Sequence, residues 1–151
     1  MYNRFGEGWD NTDEPLTQTQ LLEVGTTSAV TVGSDINSLG VINQIGSKVI
    51  LDTSSTVTLE PGTYRIEMSA AFDFSANTGY AQIVAYDHSN HTGLVSPLIK
   101  GSVYVYAQHL TTFLGHNSNS FVFNTGSEMT MCFRPAALVS VDSLTYFSAV
   151  I

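Results

Sequence analysis

The sequence predicts an all-β fold, an antiparallel jelly-roll sandwich preceded by an irregular N-terminal arm. Three observations predict it. From residue 26 onward, short runs rich in β-branched and aromatic residues follow one another, turn residues separate them, and no segment repeats its apolar residues at a helical period. Eight or nine short strands in one domain suit a sandwich or jelly roll, and the strand pattern alone does not choose between those topologies. At 151 residues, 43% of them hydrophobic, the chain has the size and composition of one domain with its own core.

Strands are expected near Ser28–Val32, Lys48–Leu51, Thr56–Leu59, Thr63–Phe74, Tyr80–Tyr86, Ser102–Leu114, Ser120–Phe123, Glu128–Arg134 and Leu144–Ile151. Glu60-Pro61-Gly62 reads as a tight turn, because proline fixes φ at one central position and glycine accepts positive φ at the next. Asn77-Thr78-Gly79 and Asn124-Thr125-Gly126 punctuate later pairs, and residues 88–97 read as a polar loop. In the last strand Phe147, Ala149 and Ile151 share one face, and Tyr146, Ser148 and Val150 share the other. A strand apolar on both faces is expected to be covered on both, once by the sandwich and once by a neighbouring subunit.

Residues 1–23 read as a docking arm and residues 24–151 as the jelly-roll domain. The arm carries Glu7, Asp10, Asp13, Glu14 and Glu23 against Arg4 alone, half of the chain's net charge of −8. It also holds Tyr2, Phe5, Trp9, Leu16, Leu21 and Leu22 with neither helical nor alternating period. A solvating acidic tail rarely keeps such large apolar anchors, so these six residues are the expected contacts with a partner.

Composition excludes several classes. The five basic residues, Arg4, Lys48, Arg65, Lys100 and Arg134, are scattered, so no basic patch meets a phosphate backbone or an anionic membrane. Charged residues make up 12% of the chain, against about a quarter in an average protein. Its polarity comes from Ser, Thr and Asn, as in many virion and extracellular β-proteins. The N-terminus shows no apolar signal region and no stretch approaches a membrane span, so synthesis in the cytoplasm without a signal peptide is expected.

The C-terminal two-thirds resembles the trimeric jelly roll of complement-type globular heads and tumour-necrosis-factor-like ligands. Residues 57–66 have the family's apolar strand, Pro-Gly turn and Gly-x-Tyr-x-apolar sequence, ending Gly62-Thr63-Tyr64-Arg65-Ile66. Residues 79–86 resemble its next strand, residues 121–131 its hairpin with a Gly-acidic turn, and residues 144–151 its aromatic closing strand. The resemblance implies ten strands, a threefold trimer with apolar and aromatic inner faces, and partner binding without enzyme activity. Residues 1–23 carry no collagen-like Gly-X-Y repeat, a departure from the complement-type pattern. An arm plus one jelly roll is similar to the layout of a phage capsid-decoration or head-fibre subunit, placed on the capsid surface of a virion.

The residues are also weighed for chemistry. His88 and His91 form His-x-x-His beside Asp87, with His109, His116 and Cys132 as the only further nitrogen or sulfur ligands; such spacing is common in polar loops, and no metal or cofactor is expected. Cys132 lies in an alternating apolar strand and reads as packing. No Gly-x-Ser-x-Gly elbow occurs, and Asp73, Asp87, Glu128 and Asp142 sit at strand ends or turns, so no catalytic residues are assigned. Tyr80, Tyr86, Tyr104, Tyr106 and Tyr146 exceed what one small core absorbs and are the expected trimer interface. The expected partners are further copies of the chain and a major capsid or other virion protein. The alternative reading is a receptor- or glycan-binding tip of a phage tail fibre, its Ser, Thr, Asn and Tyr side chains contacting a host surface glycan.

Overall fold

The structure, a computed structural model, describes residues 19–88, 98–108 and 113–151. Ten strands run through these residues: β1 (Leu21–Thr26), β2 (Gly40–Ile45), β3 (Val49–Leu51), β4 (Val57–Leu59), β5 (Gly62–Phe74), β6 (Tyr80–Asp87), β7 (Leu98–Tyr106), β8 (Leu114–Thr125), β9 (Met129–Val139) and β10 (Val141–Val150). They form two five-stranded sheets, β2-β1-β10-β5-β8 and β3-β4-β9-β6-β7, with every pairing antiparallel. The two sheets stack as an all-β jelly roll.

Alternation builds the core. On β5, Ile66, Met68, Ala70, Phe72 and Phe74 point inward, while Arg65 and Glu67 face solvent. Phe147 and Ala149 of β10 join them from the same sheet. Ile83, Ala85, Val103, Val105, Met131 and Phe133 meet them from the other. Phe133 and Phe147 touch across the sandwich with ring centroids 5.2 Å apart.

The expected turns are present, but most of them carry the chain from one sheet to the other. Glu60-Pro61-Gly62 joins β4 to β5, and Asn124-Thr125-Gly126 joins β8 to β9. Gly62 begins β5 and is not in the left-handed region; among the described glycines Gly33 and Gly46 are, with φ of 79° and 81°. The Tyr64 hydroxyl donates to the Glu60 carbonyl at 2.6 Å and closes the crossing.

Three sequence expectations are corrected. Ser28–Val32 is not a strand: Ser34 N donates to Thr31 O in a turn that Gly33 completes. The segment runs beside β9 on isolated bonds, Gly33 N to Pro135 O at 3.0 Å and Ile36 N to Phe133 O at 2.8 Å. The run Ser102–Leu114 is two strands in different sheets, β7 ending at Tyr106 and β8 starting at Leu114. Finally, Leu21 and Leu22 belong to the domain and not to the arm. Leu21 pairs with Ile45, while Leu22 is fully buried and exchanges backbone bonds of 2.9 and 2.8 Å with Ile151. Tyr2, Phe5, Trp9 and Leu16 lie outside the described residues.

Candidate functional site

The outer face of the β2-β1-β10-β5-β8 sheet is set by the same alternation that fills the core. With Phe147 and Ala149 inward, β10 presents Tyr146, Ser148 and Val150 outward, all half-buried. Ser148 stands between Gly25 of β1 and Ser69 of β5 in register. Ala71 and His116 pair on the next two strands, and the His116 ring lies 5.9 Å from that of Tyr146. Gly25, Ser148 and Ser69 make a row of small groups between Tyr146 and Val150, and that row carries no formal charge. Glu23, Arg65 and Glu67 stand near Val150 at one end, and Asp73 stands at the other, bonded by Ser143 Oγ at 3.1 Å. Two shallow hollows flank Tyr146. One, of about 310 Å³, involves Gly25, Ile42 and Ser148, and the other, of about 200 Å³, involves Ala71, Leu114 and His116.

The β7–β8 edge of the sandwich is laced by amides. Asn117 Nδ2 donates to Tyr104 O at 2.8 Å and Asn119 Nδ2 to Ser102 O at 2.9 Å. Gly115 allows this closure, since a Cβ there would run into the backbone carbonyl of Tyr106. Outside the lacing, Leu114 is 46% and Val122 66% exposed on β8.

On the opposite sheet, Tyr80 and Tyr106 are cross-strand neighbours, and the Tyr104 and Tyr106 rings lie parallel within 10°, centroids 6.1 Å apart. Tyr104 is 41% and Tyr106 56% exposed. Tyr86 is corrected. It is fully buried beneath the segment that carries Asp35, so it has no surface to give a neighbouring subunit. Its hydroxyl donates to Asp35 Oδ1 at 2.5 Å and accepts from Arg134 Nη2 at 2.9 Å, while Arg134 Nε donates to Asp35 Oδ1 at 3.0 Å. The guanidinium also lies 4.8 Å from the Tyr86 ring centroid.

Burial, then the hydrogen bond to Asp35, holds the Tyr86 hydroxyl far above its usual pKa. Burial first, then the charge of Asp35, pushes the Cys132 thiol up to about 12, so it is protonated at neutral pH and a poor nucleophile. Burial works against the Arg134 charge, but Asp35 and Tyr86 more than offset it and hold that pKa above its ordinary value. The cluster therefore pins the 27–39 segment to the sheet with one ion pair and two neutral groups. Replacing Arg134 with alanine strands the Asp35 carboxylate and should cost about 2–4 kcal/mol, somewhat below a fully buried pair because both side chains are about a quarter exposed. Tyr86→Phe should cost about 1 kcal/mol. Urea unfolding curves check the ranking.

Of the histidines, His88 is exposed with Nδ1 3.5 Å from the Tyr86 hydroxyl, and His116 sits on the other sheet; His91 and His109 lie outside the described residues. Cys132 is buried, as its strand pattern requires. Sequence reading missed Asp35 altogether, because a lone aspartate in a Gly-Ser-Asp turn carries no signal of a partner 99 residues away.

No family model and no curated protein sequence matches the chain. Solved structures do. The globular domain of zebrafish complement 1qA protein aligns over 88% of this chain and 96% of its own, with a TM-score of 0.59 at 11% identity. The Eiger tumour necrosis factor of S. frugiperda covers 88% and 92% with 0.55 at 10%. The PRD1 vertex protein P5 covers 88% and 94% with 0.51 at 14%. The fold is thus the jelly roll of complement and tumour-necrosis-factor-like domains, shared with a phage vertex protein.

Proposed function

We propose that the chain is a virion structural protein, a trimeric capsid-decoration or head-fibre subunit that attaches to the capsid through its N-terminal residues. The observation that carries the reading is the outer face around Tyr146 and Ser148, broad, flat and uncharged at its middle, on a fold shared with a phage vertex protein. A closed threefold ring needs two different surfaces on each subunit. The face around Tyr146 is one, and the β7–β8 edge with Val122 and Tyr106 is the other; in this reading the hollow beside Gly25, Ile42 and Ser148 receives an apolar side chain of that edge. The partners are two further copies of the chain and a capsid or other virion protein, at the capsid surface.

A second reading, a glycan-binding fibre tip, draws on one observation: the parallel Tyr104 and Tyr106 rings, with Tyr80 beside them, form an exposed aromatic ladder next to Gln82. Neither reading involves catalysis. Binding to undecorated capsids and a glycan array, run on the same full-length protein, separate the two. Saturable capsid binding without glycan hits supports decoration. Glycan hits without capsid binding overturn it in favour of the tip.

A further inference from the structure

Asp35, His88 and Cys132 come from three separate parts of the chain: the 27–39 segment, the residue just after β6, and the middle of β9. Their ligand atoms nonetheless all lie within 4.8 Å of one another. One is a carboxylate, one an imidazole and one a sulfur, the donor set of a borderline-soft dication. We infer that these three side chains form a binding site for a divalent transition metal of the zinc class, on the outer face of the β3-β4-β9-β6-β7 sheet.

The geometry needs little adjustment. Metal–ligand bonds of roughly 2.0–2.3 Å put tetrahedral ligands about 3.3–3.8 Å apart, so the atoms must close by about 1 Å. The exposed His88 can supply much of that by side-chain rotation. The Cys132 sulfur and an Asp35 carboxylate oxygen already lie within 4.8 Å of each other. Metal binding exchanges the thiol proton for the metal: the S–H bond breaks, the proton leaves to solvent, and the sulfur lone pair and a carboxylate oxygen both bind the dication. One carboxylate and one thiolate match its two positive charges, while Arg134, ion-paired to Asp35, adds one positive charge beside them. Arg134 and Tyr86 already bond Asp35 Oδ1, which orients the carboxylate and leaves Oδ2 for the metal. With three protein ligands, the fourth position falls to water. The bound ion would add a further tie between the 27–39 segment and β6 and β9, beside the Asp35 ion pair, the Tyr86 hydrogen bond and the backbone bonds of Gly33 and Ile36.

The test is cobalt(II) titration of the full-length protein under reducing conditions. One equivalent should produce a near-ultraviolet thiolate charge-transfer band with tetrahedral visible bands, and zinc should displace it. His88→Gln, an exposed change that spares the core, should weaken binding at least tenfold, and Cys132→Ser should abolish the charge-transfer band. At a hundredfold excess over its dissociation constant, zinc should raise the melting temperature by about 5–10 °C. Absence of the band, a band that survives in Cys132→Ser, or equal affinity of His88→Gln and wild type would each overturn the assignment. If Cys132→Ser fails to fold, the His88→Gln comparison decides alone.

Discussion

Ser148→Arg is expected to convert a trimer into monomers at micromolar concentration. Ser148 lies at the middle of the uncharged face, flanked in register by Gly25 and Ser69. In a separate subunit an arginine there lies along open sheet with its charge in water, a change usually worth within about 0.5 kcal/mol. Against a neighbouring subunit the same guanidinium loses its water, a cost of several kcal/mol per subunit that Glu23 and Glu67, two positions along the flanking strands, offset only in part. Sedimentation velocity gives the mass and circular dichroism shows whether the β-sheet is retained. Thr58→Arg, on the opposite sheet, serves as the control and should remain trimeric. An unchanged trimer in Ser148→Arg would remove this face from the interface.

Deleting residues 1–18 is expected to leave a folded assembly that no longer attaches to capsids, and Trp9→Ala should weaken attachment by tenfold or more. Tyr2, Phe5, Trp9 and Leu16 stand among carboxylates in a segment without strand period, where burial in a partner's groove can gain a few kcal/mol less the cost of ordering the chain. The position of the cut matters. Removing residues 1–22 also takes Leu22, its buried side chain and both of its backbone bonds to Ile151, and should destabilise the fold itself by about 2–5 kcal/mol. Occupancy on purified capsids, read beside melting temperature, distinguishes loss of docking from loss of folding. Full occupancy with residues 1–18 absent would place the anchor in the jelly roll.

The contrast between Leu22 and Phe72 shows where the sequence was readable. Phe72 lies in a thirteen-residue strand whose alternation runs for its whole length, so its inward orientation is plain. β1 offers six residues, and β2 is exposed throughout, so neither makes a period that stands out from a loop. The turns at Pro61 and Gly126 were also legible, because glycine and proline act locally. Whether such a turn folds a strand back on its neighbour or sends it to the other sheet depends on packing that no local signal contains. That is why Ser102–Leu114 read as one strand when the chain changes sheets within it.

The same limit separates the tyrosines. Tyr146 was placed on the outer face by its alternation with Phe147, and the structure agrees. Tyr86 reads identically in sequence but is covered by a segment some 50 residues earlier, through a hydroxyl bonded to Asp35. An aromatic alternating with buried residues shows which face it occupies and leaves open what lies over that face.

Assembly through the face around Tyr146 and Ser148 is the claim on which the functional reading rests, and its mass in solution tests it most directly. An obligate interface of this kind buries more than about 2,000 Å² and should not dissociate on dilution into the micromolar range. Sedimentation equilibrium of the full chain should therefore give a single species of three times 16.3 kDa at every loading concentration. A species of 16.3 kDa that persists throughout would contradict the account.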